Sequence, residues 1–352
     1  MRRLIYIFII GLLLCSYTWA DGSRYASKSL LSEGKWVKIR VDKTGIYKLS
    51  YADLKNMGFS DPSKVSVHGY GGWPLDEDFS KEYIDDVPST PVWRGSDYLL
   101  FYGKGPVKWE YDSSSQTFVH TNNPYSLYGY YFVTDATPTN DMTSVAQASG
   151  ATNRITTYDD YLVHEQELVS LAKSGRELYG EDFSGATPRT LSTFSSIPGI
   201  TNEDAKVTMS FVSKVTSGTG VASLSINQSN VLDVSIRSNR EEYVKALEGV
   251  STAVWKGEKS EKNSVVVSYN SASHNNVRLN YVRLHFKRTL QPYGAYTFFR
   301  SIASIGNVSR FVVQGANANT LVFDVTDAQR VRLMETELNG SELTFSIPAG
   351  TL

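Results

Sequence analysis

Cysteine is almost absent from this chain, which has one, Cys15, among 352 residues. Cys15 lies in an N-terminal segment that we expect to be removed on export, so the mature protein has no thiol. This absence excludes disulfides, although an exported protein meets an oxidising compartment. It also excludes a thiolate nucleophile and a thiolate metal ligand. The stability of the fold must therefore come from a hydrophobic core.

Long apolar runs are also absent after the first twenty residues, which predict a signal peptide over residues 1–20. Two arginines precede Leu4–Leu14, an apolar run that is too short to span a bilayer. Residues 18–20 end in a small side chain, so the predicted cleavage lies between Ala20 and Asp21. Lipidation of Cys15 is disfavoured because Leu14 stands where a small residue is required. An uncleaved anchor is the alternative, and the mature chain has no predicted membrane span.

An excess of charge of either sign is lacking too. The chain has 35 Lys and Arg against 36 Asp and Glu, a formal net charge of −1. This balance offers no general attraction for nucleic acid or for an anionic membrane surface, so neither is a predicted partner. About 330 mature residues exceed what one hydrophobic core usually fills, which predicts two domains.

The 22 tyrosines, with many Thr, Val and Ser, favour strands over helices. We predict a mainly β fold, with an N-terminal antiparallel β domain over residues 21–152 that contains one short helix. A connector over residues 153–175 follows, with one helix over His164–Leu171. Residues 176–352 are predicted to form a jelly-roll or immunoglobulin-like β-sandwich. Its eight predicted strands cover residues 206–212, 222–226, 231–236, 264–269, 277–286, 309–313, 321–325 and 343–347.

Three local patterns refine this prediction. Residues 36–41 and 46–49 alternate around a turn and predict a hairpin. Ser50 is the expected N-cap of the short helix, with Asp53 as its capping-box partner and Gly58 at the C-terminal end. The alternation in residues 277–286 slips at Tyr281 and Val282, which indicates a β-bulge or a fully covered central strand.

The five histidines are the first candidates for catalytic or metal-binding residues. No two of them have the i, i+2 or i, i+4 spacing of a metal site, and none adjoins a Ser or Cys in a nucleophile motif. We therefore predict a structural role or simple exposure for each, and no cofactor. The five are His68, His120, His164, His274 and His285.

Two further groups suit ligands by residue type. Residues 76–78 and 85–86 are acidic and could supply oxygen ligands to Ca²⁺, but they lack EF-hand spacing, so solvation of an exposed loop is favoured. An aromatic segment could stack on sugars, although cross-strand packing is the favoured interpretation. The same alternatives apply to Trp73 and Trp93. The aromatic segment consists of Tyr125, Tyr128, Tyr130, Tyr131 and Phe132.

Residues 103–106, Gly-Lys-Gly-Pro, have a glycine-rich composition that occurs in phosphate-binding loops. No predicted helix follows them, and such a loop needs a helix N-terminus. We predict a turn between two strands.

Residues 45–59 and 100–112 resemble the N-terminal region of the PorU-type sortases of the type IX secretion system. These are gingipain-like (C25) cysteine peptidases of Bacteroidetes. Residues 174–181 are similar to the same family, although Leu178 stands where an aromatic side chain usually precedes Tyr179. Residues 323–327 also resemble a family segment that closes the sandwich before the peptidase domain.

The resemblance implies that this chain is the non-catalytic N-terminal portion of such a sortase. A caspase-like domain beyond residue 352 would carry the Cys–His dyad. The whole protein would remove the C-terminal signal from secreted cargo and attach the cargo to the cell surface. Its partners would be type IX secretion components and cargo proteins, at the periplasmic or outer membrane surface. The end of the chain just after strand 343–347 is expected of a fragment.

A free-standing secreted adhesin or carbohydrate-binding module is the alternative. It would account for the aromatic side chains and for the lack of catalytic groups. The DNA after codon 352 distinguishes the two, because a sortase requires an in-frame region that encodes a Cys and a His. On either hypothesis this chain has no thiol for catalysis once the predicted signal peptide, with Cys15, is removed.

Overall fold

The computed structural model describes residues 25–78, 80–81, 85–171, 177–238, 246–271, 274 and 276–350. The predicted signal peptide and its cleavage site between Ala20 and Asp21 lie outside the described residues. Within these ranges no helix combines the length and the apolar character that a bilayer crossing requires. The fold is mainly β, as predicted.

The N-terminal part of the chain forms three small sheets. Their orders are β1-β9-β3-β4, β2-β6-β5 and β7-β8. Among the described residues of this part, one α-helix, α1 (Tyr51–Asn56), and two 3₁₀ turns, Leu30–Ser32 and Pro62–Lys64, accompany them. The strands are β1 Val37–Val41, β2 Gly45–Ser50, β3 Ser66–Gly71, β4 Ser89–Thr90, β5 Val92–Arg94, β6 Tyr98–Gly103, β7 Val107–Asp112, β8 Thr117–Asn122 and β9 Gly129–Thr134.

The predicted hairpin of residues 36–41 and 46–49 is wrong, because β1 pairs with β9 and β2 pairs with β6. The two strands belong to different sheets that share one core, which includes Val41, Phe101 and Tyr131. Tyr47 Oη donates to the Lys43 carbonyl at 2.7 Å and holds the bend between the sheets. Short-range alternation could not show that each strand had a distant partner.

The short helix is confirmed. Ser50 Oγ accepts a hydrogen bond from the Asp53 amide at 3.0 Å, as an N-cap should. Leu54 is fully buried in the core of this part. Gly58 follows the helix with a φ of +87°, the left-handed conformation that favours glycine at this position.

The rest of the chain contains a sandwich of two four-stranded sheets, β12-β19-β14-β17 and β13-β18-β15-β16, with a large shared core. The remaining strands form the sheets β11-β20-β24-β23 and β10-β22-β21. Two 3₁₀ turns, Ser192–Phe194 and Ile302–Ser304, join these elements. The strands are β10 Ser144–Val145, β11 Asn153–Ile155, β12 Thr157–Glu165, β13 Arg189–Thr190, β14 Ala205–Ser213, β15 Thr219–Ile226, β16 Ser229–Arg237, β17 Leu247–Trp255, β18 Val265–Tyr269, β19 Val277–Thr289, β20 Ser309–Val313, β21 Phe323–Asp324, β22 Arg332–Met334, β23 Glu337–Asn339 and β24 Glu342–Ile347.

Three of the eight strands predicted for the sandwich lie outside it. Residues 309–313 and 343–347 form β20 and β24, which pair with each other around stacked Phe311 and Phe345 rings. The strand predicted at 321–325 shortens to β21 and joins a further sheet. These residues surround a separate core with Ile155 and Leu290. Their short apolar runs predicted strands but carried no information on which core would bury them.

The helix predicted over His164–Leu171 is wrong, because β12 continues to Glu165 and pairs along its whole length with β19. Val169 then forms an isolated antiparallel bridge with Tyr179. The predicted connector, residues 153–175, therefore supplies strands β11 and β12 to the sheets, while its boundaries with the flanking domains stay a prediction. Pairing with a thirteen-residue strand outweighed the weak helical preference of a few residues.

The predicted irregularity in residues 277–286 is confirmed as a β-bulge. The pairing of β14 with β19 shifts register between Ser210 and Phe211, so Asn280 has no partner position. The bulge turns Val282, Leu284 and Phe286 into the sandwich core. Tyr281 and Arg283 consequently share the opposite face of the sheet with His285 and Lys287.

Candidate functional site

The outer face of the β12–β19 strand pair is covered by the β7–β8 hairpin. This hairpin forms a two-stranded sheet of its own. The Trp109 ring stacks on Tyr161 of β12 with centroids 4.1 Å apart and planes 29° apart. Phe118 lies 4.9 Å from the same Tyr161 ring and meets His285 edge-on at 5.5 Å. We call this contact the hairpin interface.

His120 provides the polar centre of the hairpin interface. Its Nε2 lies 2.8 Å from Glu165 Oε2, and its Nδ1 lies 3.3 Å from Arg283 Nη1. A guanidinium can only donate, so Nδ1 must accept and the ring proton must lie on Nε2. Asn122 Nδ2 also donates to Glu165, at 2.8 Å. The partners thus fix one neutral tautomer of a side chain that is almost fully buried.

Asp159 anchors a second polar group on the same strand pair and is 2% exposed. Its carboxylate accepts from His285 at 3.0 Å, from Lys287 at 2.8 Å and from the Ile302 amide at 2.7 Å. Burial acts to raise the pKa of Asp159, but these hydrogen bonds and the Lys287 charge outweigh it and lower the pKa. The carboxylate is therefore held ionised, and a structural ion-pair network results.

Arg300 contacts the hairpin and follows Phe299, which packs against the core around Ile155 and Leu290, here called the third core. Its Nη1 donates to the Trp109 carbonyl at 3.2 Å, and its guanidinium lies 5.7 Å from the Phe118 ring and 5.1 Å from the Phe298 ring. The Asp159 amide donates to the Arg300 carbonyl at 2.8 Å. Phe298 in turn stacks on Tyr102 of β6, 6.5 Å away. These contacts join the N-terminal sheets, the sandwich and the third core through one short segment.

The remaining histidines are also used structurally. His68 is buried, where its Nδ1 lies 3.2 Å from the Val87 carbonyl, and burial lowers its pKa. His164 lies between Glu181 and Thr193, at 2.6 and 2.9 Å. His274 contacts the Tyr269 hydroxyl. Among the described residues no three or more His, Cys, Asp or Glu side chains are grouped to hold a metal ion.

The acidic residues considered for Ca²⁺ bind other parts of the chain. Asp76 pairs with Lys81 at 2.6 Å, and Asp78 accepts from Ser80 Oγ at 2.7 Å. Asp85 contacts the Ala26 amide, and Asp86 accepts from the Leu30 amide at 2.5 Å. Asp85 and Asp86 thereby tie residues 26–30 to the N-terminal sheets.

The aromatic segment does not form one platform. Tyr131 is buried in the core, whereas Tyr130 and Phe132 lie on the opposite face of β9. Lys38 lies 3.8 Å above the Tyr130 ring, and Arg40 lies 4.3 Å above the Tyr128 ring. Cationic side chains of β1 therefore cover the ring faces of Tyr128 and Tyr130 on which a sugar would have to stack. Tyr125 is 80% exposed on a loop and stands apart from them.

The two candidate tryptophans differ in their surroundings. Trp93 packs against Tyr98 at 5.7 Å within the β2-β6-β5 sheet. Trp73 lies beneath two lysine side chains, with the Lys104 ammonium 5.0 Å and the Lys108 ammonium 6.0 Å from its ring centroid. Residues 103–106 form the turn between β6 and β7, as predicted.

Sequence reasoning missed the hairpin interface, although one signal for it was visible. Polar and aromatic residues alternate with apolar ones in residues 277–287, which fits a strand covered on both faces. Nothing local showed that the cover would come from residues 107–122. The arrangement binds one part of the chain to another, and the described residues near His120 and His285 include no Ser or Thr bonded to either ring.

Comparison with solved structures identifies a similar protein. The crystal structure of dimeric latent PorU from Porphyromonas gingivalis matches with a TM-score of 0.85 and 31% sequence identity, over 93% of this chain and 32% of that one. This chain thus spans about a third of the length of that protein. No protein-family model and no curated protein matches.

Two other structures have TM-scores too low to support any argument. BuGH86 in complex with neoagarooctaose has 10% identity and a TM-score of 0.24, over 72% of this chain and 32% of its own. The cycloalternan-forming enzyme from Listeria monocytogenes has 9% identity and a TM-score of 0.23, over 71% of this chain and 19% of its own.

Proposed function

We propose that this chain is the non-catalytic, β-rich N-terminal portion of a PorU-type sortase. Its similarity to PorU agrees with the resemblance seen in its sequence. The whole sortase would remove the C-terminal signal from type IX secretion cargo and attach the cargo to the cell surface. A signal peptide over residues 1–20 would export it to the periplasm and outer membrane surface. The similarity over 93% of the chain carries this proposal.

The role proposed for this portion is to brace the peptidase domain and to contribute to docking with secretion components. The hairpin interface supports it, because Trp109, His120 and Arg300 connect the N-terminal sheets to the sandwich and the third core. Such cross-connections let the units act as one support, since the N-terminal sheets and the third core are each smaller than the sandwich core.

The sortase assignment is tested by sequencing the gene beyond codon 352. We expect an in-frame α/β region that encodes a Cys and a His, because peptidases of this family need an activated thiolate. The purified chain should show no peptidase activity. A stop codon with no such region after it would favour the secreted adhesin or carbohydrate-binding module instead.

The bracing role is tested in the whole protein by allelic exchange. The double variant Trp109→Ala and Phe118→Ala removes both rings that cover Tyr161. We expect cargo to retain its C-terminal signal in this strain, whereas Tyr125→Ala, at an exposed loop position, should process cargo normally. Normal processing in both strains, with normal levels of the protein, would contradict the bracing role.

A further inference from the structure

Strand β17 forms an open edge of the sandwich. It is the last strand of the sheet β12-β19-β14-β17, and β14 pairs with one side of it. Nine consecutive residue pairs join β14 and β17 without a shift in register, so the strand is long and regular. In the described part of the chain no backbone hydrogen bond reaches its other side. A regular edge of this kind presents unpaired N–H and C=O groups to a second strand.

β17 also lacks the features that usually keep an exposed edge from pairing. Its sequence contains no proline and one charged residue, Glu248, and its pairing contains no bulge. Other edges of these sheets are protected. β1 carries Lys38 and Arg40, and the free side of β12 forms a bridge from Asp159 to Arg300. Proteins protect their edges because bare strands associate, so the bare edge of β17 indicates that another strand covers it.

The side chains of β17 alternate between the sandwich core and the outer face of the sheet. Val250 is 50% exposed and Val254 is 42% exposed on the outer face. Glu248 and Thr252 are exposed on the same face, and the exposed Lys256 continues the alternation just after the strand. The exposed row therefore consists, in order, of an acid, a valine, a threonine, a valine and a base.

This row is complementary to itself. When two copies of β17 run antiparallel with Thr252 opposite Thr252 of the second copy, each Val250 stands opposite a Val254 and each Glu248 opposite a Lys256. Directly opposite side chains in antiparallel strands are neighbours, and apolar pairs and opposite charges each stabilise the pairing. A register whose centre moves by one residue in either direction places one valine opposite Thr252 and the other opposite a charged side chain. One register is therefore favoured over its neighbours.

The acidic end of the row is positioned in advance. Glu248 Oε1 accepts from Ser210 Oγ at 2.5 Å and from Asn280 Nδ2 at 3.2 Å, so its carboxylate is held on the outer face of the sheet. It keeps capacity for a further donor, because a carboxylate offers about four acceptor positions. An ammonium group from Lys256 of the second copy can therefore add to these contacts without displacing them.

We propose that two copies of this chain associate through antiparallel pairing of their β17 strands about Thr252. The two four-stranded sheets then form one continuous sheet, and the interface is isologous because the same strand serves both copies. The contact is one strand wide, which is smaller than a standard interface, so we expect a concentration-dependent dimer with a Kd of about 10 μM to 1 mM. The proposal rests on β17 alone and not on the sortase assignment.

Disulfide crosslinking tests the register. The purified chain carries Cys15→Ser, which leaves no other thiol. Thr252→Cys then places its thiol on the two-fold axis, beside the same thiol of the second copy, and oxidation should produce a linked dimer. Val250→Cys is the matched control, because its two thiols would lie four residues apart along the strands, about 13 Å, and should not react. An equimolar mixture of Val250→Cys and Val254→Cys should form a linked dimer again. No linked dimer from Thr252→Cys, or as much from Val250→Cys alone, overturns the proposal.

Sedimentation equilibrium tests the association itself. The mass of the chain, again with Cys15→Ser, should rise toward that of a dimer as its concentration increases to about 1 mM. Val254→Lys should weaken the dimer by about tenfold or more, since it places a charge opposite Val250 of the second copy. Leu127→Lys, at a loop position that is 71% exposed, should leave the dimer unchanged. A mass that stays monomeric, or equal association in the Val254→Lys variant, contradicts the proposed dimer.

A charge exchange distinguishes this pairing from nonspecific association. Lys256→Glu places two acids opposite each other and should weaken the dimer, as should Glu248→Lys. The double variant with both substitutions restores opposite charges and should recover most of the affinity. Thermal unfolding checks that each variant is folded. A folded double variant that associates as weakly as Lys256→Glu alone overturns the proposed register.

Discussion

Trp109 and Tyr161 stack 4.1 Å apart, and this contact joins the β7–β8 hairpin to the sandwich. We expect Trp109→Ala to lower the free energy of unfolding by about 2–3 kcal/mol, because it removes the stacking with Tyr161 and the packing on His120. Urea unfolding measures the loss. Hydrogen exchange should show faster exchange confined first to residues 107–122.

Two matched variants serve as controls for this prediction. Trp109→Phe keeps an aromatic ring and should lose less than half as much stability. Trp93→Ala removes a ring that packs within the N-terminal sheets, so it should leave exchange in residues 107–122 unchanged. Equal loss of protection there in Trp93→Ala would show that the Trp109 contact does not hold the hairpin.

The tautomer of His120 gives a second prediction. Arg283 can only donate, so the neutral ring should carry its proton on Nε2, where it donates to Glu165. Long-range ¹H–¹⁵N correlation at pH 8 should show this tautomer. Glu165→Gln retains an acceptor and should keep the hairpin docked, with a loss of about 1 kcal/mol as the hydrogen bond loses its charge.

Glu165→Leu is the contrasting variant. It leaves the Nε2–H of His120 and the Asn122 amide without their shared acceptor, so a larger loss of about 2–3 kcal/mol is expected. Equal stabilities for the Gln and Leu variants would contradict a hydrogen bond from His120 to Glu165.

The sequence predicted those parts of this architecture that depend on neighbouring residues. The Ser50 cap, the helix, the turn at residues 103–106 and the bulge near Tyr281 each follow from a few adjacent side chains. The wrong predictions concern distant partners. β1 and β2 separate because β9 and β6 lie elsewhere in the chain, and His164 joins a strand because β19 pairs with it.

The same limit applies to the candidate sites. Each histidine was predicted as structural or exposed because no motif surrounded it, and the structure places His120, His164 and His285 against carboxylates 17 to 126 residues away in sequence. Such pairs are set by sheet register, which one sequence does not show.

Asp159 gives a prediction of pH dependence. Its pKa is lowered in the folded protein, so its stabilising contribution is present above the unfolded-state pKa of about 3.9. This contribution is lost as the pH falls through the lower folded-state pKa. Asp159→Asn should lower the free energy of unfolding at pH 7 by about 3 kcal/mol, since it leaves Lys287 without its charge partner. The difference from the parent protein should shrink between pH 5 and pH 2, measured by urea unfolding.

Asp160 is the matched control, because it is adjacent to Asp159 in sequence but its carboxylate pairs with Arg288 instead of His285 and Lys287. Burial raises its pKa despite the hydrogen bond from Arg288. Its charge therefore becomes less favourable to the folded state as the pH rises through the range between its unfolded and folded pKa values. The Asp160→Asn difference should change with pH in the direction opposite to that of Asp159→Asn. Parallel pH profiles for the two variants would contradict the assigned directions.

Gly129 gives the last prediction, which concerns the close backbone contacts around Lys104. A Cβ at position 129 would lie 2.3 Å from the Lys104 carbonyl oxygen and 2.6 Å from the Gly72 nitrogen. Both are backbone atoms and cannot rotate away, so Gly129→Ala should lower the free energy of unfolding by about 2–3 kcal/mol. Urea unfolding should show a lower midpoint with an unchanged slope.

Gly350→Ala is the control for Gly129→Ala, because no atom lies within 4 Å of a Cβ added there. Its midpoint should match that of the parent protein. Gly129→Ala should also displace the Lys104 carbonyl, which accepts from the Gly72 amide, and with it the Trp73 ring, so the indole ¹H–¹⁵N resonance of Trp73 should shift. A stable Gly129→Ala protein with an unshifted Trp73 resonance would show that the backbone does not fix the ring in this way.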